Sequence, residues 1–264
     1  MVAKKLVSIL VCLATFLAAT LVCAQSGGKR PEEPKPDIAK AAKEMRAAKG
    51  FVFNAKSALE APGMPAEAGQ NAVTLDGTAV NPALVHATSG DGPEIASTSK
   101  TSLVKQQGSD KWTAPASSDS RTFAMLELAR FAFHAMQEIE RLARSAKKLD
   151  DEKIGEADCW KLECPADKEY VKKTVQRIIK GVGDSPVPLD ASMVDFAKST
   201  SVFNIWISKD ASLPLKLARN TTVAIRTPMG SGTVKEVSSV EVEYPTEVEV
   251  TLPQDVLKKL GPNK

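Results

Sequence analysis

The chain has 264 residues, 35 basic against 32 acidic, a formal charge of +3, few aromatics (5%) and four cysteines. That length buries one sizeable core. The two signs of charge are interspersed, so there is no basic stripe of the kind a nucleic-acid binder needs, and the short run Lys172, Lys173, Arg177, Lys180 reads as the solvated face of a helix.

Met1-Val-Ala-Lys4-Lys5 is a positive start, Leu6–Val22 is apolar or small, and Val22-Cys23-Ala24 has the small-x-small form of a signal-peptidase cut. Residues 1–24 are therefore expected to be a cleavable signal, and the mature chain to be periplasmic or secreted. An uncleaved anchor and lipidation of Cys23 are the alternatives, and Val22 is larger than a lipidation site wants. Cleavage removes Lys4 and Lys5 and takes the formal charge from +3 to +1. Residues 25–36, with three prolines, read as a disordered linker. A single domain is expected over 37–264.

Asp37 is a good N-cap, and Ile38, Ala41, Ala42, Met45 and Ala48 recur at helical spacing, with Gly50 as the stop. Phe51-Val-Phe53 opens a strand. Val73 and Leu75 alternate with polar residues, and Asp76-Gly77 reads as a hairpin turn. Leu84–Ala87, Glu94–Thr98 and Thr101–Gln106 are predicted strands. Residues 120–148 carry the longest helical pattern, with Met125, Leu128, Ala132, Met136, Ile139 and Leu142 as its stripe.

A strand is predicted near 156–164, then a helix from Asp167 to Gly181 and a short helix over Ala191–Lys198. Cys159 and Cys164 lie in the strand, about 16 Å apart and on opposite faces, too far for the roughly 7 Å that a disulfide spans; pairing them would need a bulge or bend. From 203 onward the text alternates: Phe203, Ile205, Ile207; Leu213, Leu215, Leu217; Val223, Ile225; Val240, Val242; Val248, Val250, Leu252. Period two with one apolar face predicts an antiparallel sheet, dry on one side and wet on the other, covered by the amphipathic helices. The fold class is α+β.

Catalytic grammar is missing. His86 and His134 have no partner motif, Gly230-Ser-Gly232 lacks the setting of a nucleophile elbow, and no nucleotide or zinc motif appears. No cofactor and no metal are expected, and the chain is read as a non-enzyme. A sheet under helices can instead enclose an apolar cavity, or the same residues can fill a solid core.

The order of segments resembles the LolA-like superfamily of periplasmic lipoprotein and lipid carriers, in particular the LppX/LprG-type branch. The matching text is Phe51-Val-Phe-Asn, Leu103-Val-Lys-Gln-Gln-Gly-Ser-Asp-Lys-Trp112, Cys159-Trp-Lys-Leu, Asn204-Ile-Trp-Ile-Ser-Lys-Asp-Ala-Ser-Leu-Pro-Leu215, and Val242-Glu-Tyr244 through Val250-Thr-Leu-Pro253 as a closing hairpin. It departs at Ser208, where an Asp is usual, and around Cys23. The resemblance implies an incomplete, curved β-barrel closed by helices over a hydrophobic cavity for acyl chains. The expected lining is Phe51, Phe53, Val73, Leu75, Leu103, Met125, Leu128, Met136, Ile139, Phe203, Ile205, Leu215, Val223, Ile225, Val240 and Val242. The expected ligand is a lipid, an acylated protein or another hydrophobic molecule, taken up by a monomer with transient membrane contact and no nucleic acid. The alternative is an envelope sensor or interaction module that binds a protein partner through the same fold.

Overall fold

The computed structural model describes residues 36–60, 72–80, 84–90, 92–116, 120–135, 145–181, 191–227 and 230–261. Residues 1–35, which hold the expected signal and most of the expected linker, and also Met136 and Ile139, lie outside the described residues.

In chain order the elements are α1 (Ile38–Ala47), β1 (Gly50–Glu60), β2 (Val73–Val80), β3 (Leu84–Thr88), β4 (Glu94–Ser97), β5 (Ser102–Lys105), β6 (Trp112–Thr113), α2 (Ser120–Arg130), β7 (Lys147–Lys148), β8 (Glu152–Ile154), β9 (Ala157–Pro165), α3 (Lys168–Gly181), β10 (Thr200–Ser208), β11 (Pro214–Thr227), β12 (Gly230–Glu243) and α4 (Gln254–Leu260). The twelve strands form one antiparallel sheet, ordered β6-β5-β4-β3-β2-β1-β12-β11-β10-β9-β7, with β8 also on β9. The fold class is the expected one, a large antiparallel sheet with helices. It is an open sheet, not a closed β-barrel: among the described residues its outer strands β6 and β7 do not pair with each other. Each of those edges has two residues, and β7 is Lys147-Lys148, the short and charged kind of edge that resists further pairing.

Local sequence accounts for most elements. Asp37 caps α1 by accepting from the Lys40 amide at 2.9 Å. Ala41, Ala42 and Met45 form its buried face. The helix ends at Ala48, not at Gly50. Gly50 already belongs to β1, and a Cβ there would lie 2.3 Å from the Ala79 carbonyl oxygen. Close approach of two backbones, not helix termination, is what asks for glycine.

Four further expectations are corrected. Asp76-Gly77 is not a turn; Gly77 lies inside β2 opposite Phe53, and a Cβ would stand 2.4 Å from the Phe53 ring. The missing side chain makes room for the aromatic. Within the helix predicted over 120–148, α-helix over Ser120–Arg130 passes into a π turn over Phe131–Ala135, residues 136–144 lie outside the described residues, and Lys147-Lys148 are strand, with Lys147 opposite Glu163. In place of a helix over 191–198, a single 3-10 turn covers Ala191–Met193, and Val194 bridges to Ile225.

The closing strand with Val248 and Val250 does not form; the extended segment after Glu243 leads into α4, which the periodicity missed. The strand beside it, β1, already has β2 and β12 on its two sides, so no ladder position is free for a third partner. Leu252 is instead buried with Val256 and Leu260 of α4 against Leu84, Ala96, Leu103 and Trp112. One end of the face expected to be wet is therefore dry. The rest of that face carries Trp206, also buried, whose indole N–H donates to Glu152 at 3.1 Å while Lys161 and Lys216 lie over its ring at 5.0 and 5.4 Å. Long lysine stems cover an aromatic while their charges stay in water.

Candidate functional site: the inner face of the sheet

The main core lies between the other face of the sheet and helices α1 and α2. Phe51, Phe53, Leu75, Ile95, Phe203, Ile205, Ile207, Leu217, Val240 and Val242 meet Met45, Met125, Leu128 and Phe131 there. At the π turn three consecutive residues, Phe131, Ala132 and Phe133, are all buried. A second zone of the same face lies under α3, where Val171 and Val175 pack on Val223, Ile225 and Val234.

Between the two zones the inward positions turn polar. Phase along β11 runs Leu217, Arg219, Thr221, Val223, Ile225, and along β12 Val234, Glu236, Ser238, Val240, Val242. Register lines these up into two rows across the sheet: Phe203–Arg219–Ser238–Ser57 and Ser201–Thr221–Glu236–Leu59. Ser57 and Ser238 hydroxyls are 3.0 Å apart, as are those of Ser201 and Thr221.

At the centre of this belt is an ion pair. Arg219 Nη2 donates to Glu236 Oε1 at 2.5 Å, and the side chains are only 6% and 13% exposed. The Ser238 hydroxyl donates to the same oxygen at 3.1 Å. Arg219 Nη1 reaches the Tyr170 hydroxyl at 3.5 Å, and the guanidinium sits 4.5 Å from the centre of the Phe131 ring. Burial works against the Arg219 charge, but Glu236 and Tyr170 more than offset it and hold the guanidinium protonated. Arg219 Nε and Glu236 Oε2 have no hydrogen-bond partner among the described residues, nor does Trp160 Nε1. Buried polar atoms without partners are uncommon in native proteins.

The described candidate residues are placed as follows. Phe51, Phe53, Val73, Leu75, Met125, Leu128, Phe203, Ile205, Val240 and Val242 share the main zone. Val223 and Ile225 belong to the zone under α3. Leu103 faces the opposite side of the sheet, against α4. Leu215 is half-buried, because the register shifts between Trp206 and Ile207, where Ile207 pairs with Pro214 and Trp206 with Lys216. Arg219 and Glu236 were not among the candidates. Their signal is present in the text: a charge at an apolar phase of the alternation, on each of two neighbouring strands.

Other chemistry is sparse. Cys159 and Cys164 are free and buried. Desolvation pushes both thiols up, Cys164 to about 11, so they are protonated. His86 Nε2 lies 3.4 Å from Glu94, which also takes Lys105 at 2.6 Å, a ladder of neighbours on β3, β4 and β5. Among the described residues no three His, Cys, Asp or Glu converge as metal ligands, and no helix is long and apolar enough to cross a membrane. An open groove at the β7 edge is lined by Lys147–Glu152 and Lys161, charged groups largely paired with one another, as in Lys161–Glu152 at 2.8 Å. The Ser208 hydroxyl accepts from the Ala211 amide at 3.1 Å and closes the turn there.

No family model matches the sequence, and no curated protein does. Among solved structures, the chain is similar to the lipoprotein LppX of Mycobacterium tuberculosis, at 12% identity over 80% of this chain and 96% of that one, with a TM-score of 0.40. It is also similar to LprF of Mycobacterium bovis (13% identity, 82% and 98% covered, TM-score 0.34) and to lipovitellin (9% identity, 76% and 26% covered, TM-score 0.29).

Proposed function

We propose that the chain is a non-enzymatic carrier or binding protein, acting in the periplasm or after secretion, for a lipid, an acylated protein or another hydrophobic ligand. The observation that supports it is how the inner face is covered. Apart from the polar belt around Arg219 and Glu236, one side of a twelve-stranded sheet is covered by two apolar zones, and helices rather than a second sheet lie on it. Helices attach to a sheet through side chains alone, so they can shift without breaking a single ladder hydrogen bond. A trough that opens in this way exposes Phe51, Phe53, Phe203 and Ile205 to an acyl chain, with Met45 and Met125 on the helical side able to repack around it.

Such binding is driven by apolar burial, roughly 0.8 kcal/mol per methylene, less the cost of ordering the chain. Native mass spectrometry after gentle purification, together with uptake of a fluorescent fatty acid, tests the reading. Co-purifying lipid or saturable uptake is the expected result. A chain that carries no lipid, takes up none and holds one stoichiometric protein partner would replace the carrier by an interaction module.

A further inference from the structure

We infer that the Arg219–Glu236 pair is the polar anchor of the ligand site, and that it selects lipids whose polar end is an uncharged hydroxyl, as in an acylglycerol. This rests on the carrier reading and says which lipid class it takes.

The pair is bound end-on. Glu236 uses one oxygen for both Arg219 Nη2 and the Ser238 hydroxyl, and among the described residues its other oxygen has no donor. Arg219 spends Nη2 on Glu236 and Nη1 on Tyr170, and among the described residues its Nε–H has no acceptor. One lone acceptor and one lone donor thus belong to two groups already held together by a hydrogen bond, beside the apolar core that the carrier reading opens to ligand. A hydroxyl is the small group that satisfies both, donating to a carboxylate and accepting from a guanidinium. Hydrogen bonds to charged groups are the stronger ones, and here the partners are fixed and desolvated before the ligand arrives. An anionic headgroup fits worse, because the Arg219 charge is already neutralised by Glu236, whose free oxygen would repel it. An ester with no hydroxyl leaves the Glu236 oxygen without a donor. Phe131 on the guanidinium face keeps the fork oriented.

The test ranks three probes of one chain length on the purified chain, by native mass spectrometry or displacement of a fluorescent fatty acid: 1-monooleoylglycerol, methyl oleate and oleate. An apolar lining alone would favour methyl oleate, the most hydrophobic of the three. The anchor predicts the reverse, with monooleoylglycerol about tenfold tighter than methyl oleate and also ahead of oleate. In the double variant Arg219→Met with Glu236→Leu, acyl binding should persist and the order revert to methyl oleate first. Methyl oleate or oleate leading in the wild type overturns the inference while leaving the carrier reading intact. So does a double variant that keeps the wild-type order. Failure to bind any of the three overturns the carrier reading and this inference with it. The wild-type ranking needs no variant, so a double variant that folds poorly leaves the decisive measurement in hand.

Discussion

Two stretches of the same three strands obey one alternation and carry different chemistry. Toward one end of β10–β12 the inward positions are Phe203, Ile205, Leu217, Val240 and Val242; further along they become Ser201, Arg219, Thr221, Glu236 and Ser238. The first stretch is held by apolar burial, which is non-directional and tolerates repacking. The second is held by directed hydrogen bonds and one ion pair, and removing one partner leaves another stranded. A period-two pattern therefore says which side of a strand is inside, and not what holds the inside together.

The sharpest way to break the comparison is at Arg219. Arg219→Ala should leave Glu236 buried without its cation and cost about 3–5 kcal/mol in chemical denaturation. The double variant Arg219→Met with Glu236→Leu should come back to within about 2 kcal/mol of wild type, because a matched apolar pair replaces both charges. If the single and double variants lose the same amount, the belt is not a coupled pair and the contrast between the stretches fails.

Next is the register shift on β11. Leu217→Ala removes a side chain with no exposure and should cost about 2–5 kcal/mol. Leu215→Ala, two residues earlier and half-buried, should cost under about 1.5 kcal/mol. Equal losses would place Leu215 in the core and remove the bulge as an explanation.

Gly77→Ala tests whether the apolar stretch is close-packed on β1 and β2. The added methyl meets the Phe53 ring and, at 2.8 Å, the His86 carbonyl oxygen, and the expected cost is about 1–3 kcal/mol. A neutral result in a melting experiment would mean that both the ring and the β3 backbone at His86 can give way, and that this part of the sheet is not close-packed.

The smallest effect is on the outer ladder. The hydrogen bond from Lys105 holds the Glu94 carboxyl below its ordinary value, against an opposing push from burial, with His86 helping. A carboxylate depressed in this way adds stability above its unfolded pKa, and that stability is lost as pH falls through its folded pKa. Lys105→Met should therefore cost under about 1 kcal/mol at neutral pH. The gap should close as pH drops below 4.5, the ordinary Glu94 value. A difference that persists in acid would assign the loss to the lysine stem and its packing, not to the charge.

Much of the fold was legible because its cues are local. Asp37 as a cap, the run of alternating strands and the inward set Phe51, Phe53, Phe203, Ile205, Val240 depend only on neighbours in sequence and on the solvent. The misreadings share another cause. Gly50 and Gly77 look like stops and turns, yet each answers to an atom on another strand, the Ala79 carbonyl oxygen and the Phe53 ring. Val248–Leu252 alternates like a strand and packs like one, but the ladder positions beside β1 were already taken.

Sequence by itself determined the class of the molecule, because alternation and helical period are set residue by residue through burial. Tertiary structure alone decided that the sheet stays open, that Leu103 looks away from Phe53, and that Arg219 meets Glu236. Those are questions of strand order and register between segments distant in the chain. A charge at an apolar phase is costly until the fold supplies its counterion, and which strand supplies it is written only in the pairing of β11 with β12.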